Sequence, residues 1–205
     1  MEVEVIYTDF ELEKKKAIYS ARECYDSFHL SDDGGERDVK LLKRLAGIGH
    51  HSPMEQINIT FSIKGVSRAL LAQFSRHRMQ SLNVKSTRFT IHKMIKEYET
   101  KDYYKYFVKH PNEFINNINR TTVKNVVSML RGLGERLPND DVKYLFPESL
   151  MTNITTSMNL RAFANFYKQR SDSHAMKEIQ VLANKMFNLL DEDCQELVKK
   201  INNGE

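Results

Sequence analysis

Apolar and polar positions alternate most strictly between Ile57 and Lys64, where Ile57, Ile59, Phe61 and Ile63 are separated by Asn58, Thr60, Ser62 and Lys64. A period of two marks a half-buried strand, and Gly65 is expected to end it. Residues 2–8 alternate well enough to predict a first strand. Helical periodicity predicts helices over 10–25 and over 37–47, the second carrying Val39, Leu41, Leu42 and Leu45 and stopping near Gly47 and Gly49. Between them, Ser31-Asp32-Asp33-Gly34-Gly35 has the chemistry of a turn. Ser52-Pro53-Met54-Glu55 has the form of a capping box opening a single turn. A helix over 66–78 with Leu70, Leu71 and Phe74 inward follows, then a strand-like run over 86–90. Phe114, Ile115, Ile118, Val126, Val127 and Leu130 predict a helix over 112–133. Pro138-Asn139-Asp140 starts a short helix that must end before Pro147. Helices over 156–168 and 172–190, the latter packing through Ile179, Leu182, Met186 and Leu190, complete the reading. Strands come early and helices dominate later, so the predicted class is α+β: an antiparallel sheet with a predominantly helical remainder, in one domain spanning 1–205.

Composition bounds the function classes. Of 205 residues, 40% are hydrophobic and 28% charged, and Lys plus Arg exceed Asp plus Glu by 31 to 27, a net charge of +4. That is a globular balance, neither disordered nor strongly basic. No apolar run reaches the ~18 residues of a membrane span, and the acidic start Met1-Glu2-Val3-Glu4-Val5 is unlike a secretory signal. Two cysteines, Cys24 and Cys194, form no disulfide framework. The expectation is a soluble, cytoplasmic, reduced protein.

Positive charge is concentrated. Arg68, Arg76, His77, Arg78, Lys85, Arg88, His92 and Lys93 fall in one window with no Asp or Glu, whereas an ordinary solvated face interleaves signs. Within it, the stretch from Arg76 to Phe89 adds Ser81, Asn83, Ser86 and Thr87, neutral hydrogen-bonding groups beside guanidinium forks suited to phosphate or carboxylate. By spacing alone this fits an anion site, a solvated basic loop or an RNA-binding patch. A second constellation is Asn159-Leu160-Arg161, Asn165, Arg170 and His174. Arg161 and Asn165 are spaced i,i+4 on one helix face, as are Arg170 and His174 if that turn is helical. Standard phosphate loops, HExxH and structural zinc spacings are missing, and the neighbours His50 and His51 would diverge on a strand. No GxSxG elbow supports a serine triad.

Arg76-His77-Arg78, seven residues, then Ser86 resembles the RHRx7S signature of the flavin-dependent thymidylate synthases. His50-His51-Ser52-Pro53-Met54-Glu55 before an alternating strand is similar to that family's upstream segment. Asn159-Leu160-Arg161, Asn165 and Arg170-Ser171-Asp172-Ser173-His174-Ala175 followed by Glu178-Ile179-Gln180 resemble its C-terminal motif. The three blocks occur in family order and span most of the chain.

The resemblance implies reductive methylation of dUMP to dTMP, with 5,10-methylenetetrahydrofolate as one-carbon donor, FAD as cofactor reduced by NADPH, and release of tetrahydrofolate. It implies a homotetramer with shared active sites and neither nucleic-acid nor membrane partners. Position by position, it puts Arg76, His77, Arg78, Ser52, Asn159, Leu160, Arg161, Asn165 and His174 on FAD, and His50 near the flavin ring. Gln73, Phe74, Ser75, Arg76, Lys85, Ser86, Thr87, Arg88, Lys143 and Arg170 match dUMP positions, with Arg170 the catalytic residue that polarises the uracil. Val84, at a position on both ligands, stands where many members have glutamate, so a carboxylate contact is missing. Lys143 replaces a common arginine and pairs phosphate without the fork. Ser86 has no evident base to make it a nucleophile and is assigned to binding. Polarity marks 31–36 and 91–110 as the loops to order on binding.

Three other classes compete. A nucleic-acid binder using residues 68–93 would interleave aromatics with cations, and the window holds only Phe74 and Phe89. A classical, cysteine-dependent thymidylate synthase needs a cysteine in a cationic setting, and both cysteines lie outside the window. A purely structural protein leaves both constellations unexplained.

Overall fold

The computed structural model describes residues 1–97, 102–133 and 137–204. Strands β1 (Glu2–Val5), β2 (Asn58–Ser67), β3 (Gln80–Val84) and β4 (Met151–Asn159) form an antiparallel sheet in the order β1-β2-β4-β3. The helices among the described residues are α1 (Phe10–Cys24), α2 (Glu36–Gly47), α3 (Arg68–Phe74), α4 (Thr87–Lys96), α5 (Glu113–Leu133), α6 (Asn139–Val142), α7 (Leu160–Arg170), α8 (Lys177–Asn188) and α9 (Glu192–Asn203). None is long and apolar enough to cross a membrane.

The chain gathers into two compact units. One comprises Met1, residues 64–72 and residues 84–154. Its core joins Ile91 and Met94 of α4 to Val123, Val127 and Leu130 of α5, with Phe107, Val142 and Leu150. The other comprises residues 2–63, 73–83 and 155–205. There Phe61 stacks on Phe163 at 5.8 Å between ring centroids, and Phe74 meets Phe166 edge-on at 5.2 Å. All four rings are fully buried, each contributing roughly 1.5–3 kcal/mol by burial.

Several boundaries differ from the sequence reading. β2 does not stop at Gly65 but continues to Ser67, because Gly65 takes φ of +73°, which L side chains rarely adopt. The helix expected over 66–78 is therefore only seven residues long. The run over 86–90 is not a strand. It is the start of α4, whose Thr90, Ile91 and Met94 are buried at helical spacing, and β-branched Thr87 and Thr90 imitate strand composition over so short a window. β4 escaped prediction because its inward positions are Thr152, Ile154, Thr156 and Met158, two of them polar. The helix expected from 156 thus starts at Leu160. The one expected over 172–190 starts at Lys177 and is followed by α9, which Asp191 caps by accepting from the Cys194 amide. Cys194 is buried, and desolvation, then Asp191, pushes its thiol far up. Ser52–Gln56 is a 3₁₀ turn with Pro near its start, but Ser52 lies inside it and makes no capping bond. Of the segment 91–110, residues 91–96 are helical and 98–101 lie outside the described residues.

The loop over 31–35 is tied to one carboxylate. Asp38 is fully buried and accepts from the Arg22 guanidinium, from Ser31 Oγ at 2.6 Å, and from the amides of Asp32 (3.2 Å) and Gly34 (3.0 Å). Asp32 in turn accepts from the Arg37 and Asp38 amides, capping α2 from outside. Lys14, also buried, holds Glu11, Asp191 and Asp193 within 2.7–2.9 Å, fastening α1 to the start of α9. Burial raises the Asp38 carboxyl, but hydrogen bonds from Ser31 and Gly34 and the charge of Arg22 outweigh it and hold the group at about 2. A depressed folded value means stability that is full above the ordinary carboxylate range and is lost as pH falls toward 2. Asp38→Ala strands a buried guanidinium, so urea unfolding followed by circular dichroism should show a loss of about 3–5 kcal/mol and a flatter acid limb than wild type.

Candidate active site

In the unit that holds α7, the signature residues occupy the turn between α3 and β3. Gln73 and Phe74 end α3; Ser75, Arg76, His77 and Arg78 follow, and β3 begins at Gln80. The turn is closed by the Arg76 amide on Gln73 O (3.4 Å) and the His77 amide on Phe74 O (3.2 Å). Gln80 locks it: its Nε2 donates to Phe74 O and His77 O at 2.9 Å each, while its Oε1 accepts from Thr156 Oγ1 of β4 at 2.9 Å. Three good bonds on one amide make Gln80 a structural fastener, and nothing in its sequence context marked it.

Arg170, the last residue of α7, reaches this turn. Its Nε donates to His77 Nε2 at 3.0 Å, and its two terminal nitrogens donate to Gln73 Oε1 (3.4 Å) and Gln73 O (3.3 Å). Three of the five N–H bonds of a guanidinium are thus used, leaving two. The His77 ring also stands edge-on to Phe166 at 5.0 Å. Burial first, and the Arg170 cation second, hold His77 below its ordinary value. It is therefore neutral at pH 7, with its proton on Nδ1. Arg76 and Arg78 are exposed and have no acidic partner among the described residues.

The other expected flavin residues in this unit divide by exposure. Asn159 caps α7, accepting from the Ala162 amide at 2.8 Å. Leu160, like Phe74 among the expected dUMP residues, has a fully buried side chain, leaving only its backbone for a ligand. Arg161 and Asn165 do share the exposed face of α7: Arg161 is paired with Glu55, and Asn165 accepts from Gln169 at 3.0 Å. Glu55, expected as a capping residue, is instead this counter-ion. His174 does not continue the helix from Arg170. It sits in the following turn with Nδ1 2.8 Å from Asp172. His50 and His51 lie in a loop after Gly49 and take separate partners, Tyr25 Oη at 2.8 Å from His50 Nδ1 and Ala46 O at 3.0 Å from His51 Nε2. Among the described residues no group of three or more His, Cys, Asp or Glu is placed to hold a metal ion. A cavity of about 330 Å³ is lined by Cys24, Tyr25, His50, His51, Ser52 and Arg161, among others. Tyr25 was missed in the sequence because an exposed tyrosine at a helix end carries no pattern.

The other unit holds the remaining expected residues. Val84 ends β3, and the Lys85 amide donates to Asn153 O at 2.9 Å. Ser86 is the N-cap of α4 without making a side-chain cap bond, and Thr87 and Arg88 form its first turn. Arg88 forks the Asp140 carboxylate, with Nε at 2.9 Å and a terminal nitrogen at 2.7 Å, and Lys143 Nζ lies 3.2 Å from the same group. Arg88 and Lys143, 55 positions apart in sequence, are thus brought together, on an acid to which the sequence reading gave no role at the site.

Histidine ¹⁵N NMR tests the Arg170–His77 contact. His77 should titrate below the ordinary 6.5, and Arg170→Gln, by removing the adjacent cation, should move its midpoint upward.

Residues 7–194 match the family model described as thymidylate synthase complementing protein, Thy1. The flavin-dependent thymidylate synthase of Campylobacter jejuni strain RM1221 is 36% identical over 181 residues, covering 85% of this chain and 86% of that one. The Helicobacter pylori strain 26695 enzyme of the same name is 35% identical over 190 residues, covering 88% and 90%. A crystal structure of the Helicobacter pylori flavin-dependent thymidylate synthase ThyX complexed with FAD and dUMP superimposes with a TM-score of 0.86 at 34% identity, over 98% of this chain and 99% of that one. With the signature turn, the α7 motif and the whole fold in agreement, the chain belongs to the flavin-dependent thymidylate synthase family.

Proposed function

We propose that the protein catalyses the reductive methylation of dUMP at C5 to give dTMP, with methylenetetrahydrofolate as one-carbon donor, FAD as cofactor and NADPH as reductant. The observation that carries this reading is Arg170: half-buried, oriented by His77 and Gln73, and keeping two N–H bonds for a ligand. A fixed cation of that kind stabilises negative charge that develops on a uracil carbonyl.

The donor set suits a flavin dinucleotide. Arg76 and Arg78 have no acidic partner among the described residues, as a pyrophosphate site requires. Arg161, Ser52, Asn165 and His174 add exposed donors, and the cavity beside His50, Ser52 and Arg161 is of ligand size. When bound, the flavin supplies the reducing equivalents of the reaction. The chain's own part is to bind, orient and polarise. Neutral His77 keeps Arg170 in place through its Nε2 lone pair. Gln73, Ser75, Arg76 and Arg170 serve the uracil and sugar; Lys85, Ser86, Thr87, Arg88 and Lys143 serve the phosphate. Ser86 acts in binding, since among the described residues no histidine or carboxylate is hydrogen-bonded to its Oγ. Val84, 36% exposed at the end of β3, offers the nucleotide only apolar contact.

The family match runs through both units, which supports reading 1–205 as one catalytic domain. A homotetramer with shared sites is supported by α5, where Phe114, Ile118, Met129 and Leu133 stay largely exposed and would be covered by a second subunit. Two unpaired cysteines fit a cytoplasmic protein. The nucleic-acid reading loses ground, because Phe74 is buried and only Phe89 remains as an exposed aromatic in the basic window. The cysteine-nucleophile reading loses Cys194, buried and resistant to ionisation.

Arg170→Ala should lower dTMP turnover by roughly 10²–10³-fold while flavin absorbance is retained; normal turnover refutes the role. Arg78→Ala should weaken FAD retention in equilibrium dialysis, and unchanged affinity removes it from the flavin site. Sedimentation velocity on serial dilution should show flavin and activity lost together as the tetramer dissociates, whereas an active monomer overturns the shared site.

A further inference from the structure

Arg88 and Lys143 differ from Arg76 and Arg78 in one respect: they already have an anion. Both Asp140 oxygens are engaged by the Arg88 fork, one of them also by Lys143 Nζ at 3.2 Å. The pairing with Arg88 first, and Lys143 second, keeps the Asp140 carboxyl below the ordinary range, so it is ionised at neutral pH. Among the described residues, nothing fully buries this triad. The side chains are 65%, 44% and 41% exposed for Arg88, Asp140 and Lys143, and exposed ion pairs are weak and exchange readily. Arg88 also sits in the first turn of α4, a helix start with no side-chain cap and no acid in that turn. The only carboxylate among the described residues that engages this cation pair comes from α6. A carboxylate presents two oxygens and one charge; a nucleotide phosphate presents three oxygens and nearly two charges, and suits a fork plus an ammonium better.

We propose that Asp140 is an internal competitor for the nucleotide phosphate: it holds Arg88 and Lys143 as a preformed cation pair and is displaced when a dianionic phosphate binds. This rests on the reading that Arg88 and Lys143 receive the phosphate of dUMP. Asp140 is then a specificity-determining residue. It lowers the gain from every phosphate, so that inorganic phosphate, which has no base to bind elsewhere, cannot hold the pair. A nucleoside without phosphate leaves the Asp140 contacts intact and neither gains nor loses by its presence.

The experiment measures dissociation constants of dUMP, deoxyuridine and inorganic phosphate by calorimetry on the FAD-loaded wild type, Asp140→Asn, Asp140→Ala and Arg88→Ala, with melting temperatures confirming the fold. Both Asp140 variants should bind dUMP roughly three- to tenfold more tightly and take up inorganic phosphate at correspondingly lower concentration, with deoxyuridine unchanged. Unchanged or weaker dUMP binding in both variants overturns the proposal and makes Asp140 a support that positions Arg88. Arg88→Ala separates this from the underlying reading. Weakened dUMP with unaffected deoxyuridine upholds the phosphate role, whereas unaffected dUMP removes that role and the competitor with it.

Discussion

The guanidinium of Arg170 is the contact around which the signature turn is organised. Helix α7 delivers it, the end of α3 receives it through Gln73, and the His77 lone pair fixes its rotation. That lone pair is free only on a neutral ring, and burial against Phe166 beside the Arg170 cation favours the neutral form further. Phe166 thus serves the Arg170–His77 contact as well as the core. Gln80 completes the arrangement from the other side, tying the turn's carbonyls to Thr156 of the sheet.

Charge is managed in two ways. Among the described residues Arg76 and Arg78 stay without acids, which leaves repulsion to be relieved by an anionic ligand. Arg161 and Arg88 instead take counter-ions, Glu55 and Asp140, contributed from distant stretches of sequence. For Arg88, inside the window without Asp or Glu, Asp140 restores in space part of the sign balance missing locally in sequence.

Much of the site was legible in the sequence, because the chemistry is concentrated in short contiguous motifs: the turn 76–78, the α4 start at 86–88, and the α7 stretch 159–170. The strand 58–64 was legible because its inward residues are all large and apolar. β4 was not, since Thr152 and Thr156 face inward with hydroxyls that satisfy themselves through partners unknowable from spacing. Asp140, Glu55, Gln80 and Tyr25 were illegible for a related reason. Each acts through side-chain hydrogen bonds or ion pairs that only the fold assembles, and such pairing leaves no periodic trace. The start of α4 misread as strand shows the converse, a local composition overruled by the burial of Ile91 and Met94.

No linker separates β4 from α7, for Asn159 is both the last residue of the strand and the cap of the helix. A single residue inserted into or deleted from β4 ahead of Thr156 would move Thr156 to the opposite face of the sheet, away from Gln80, and shift the start of α7, carrying Arg161 and Arg170 off their partners. The segment from Met151 to Arg170 can therefore diverge by replacement but not by changes of length. The same reasoning protects the direct passage from β2 into α3 at Ser67 and Arg68.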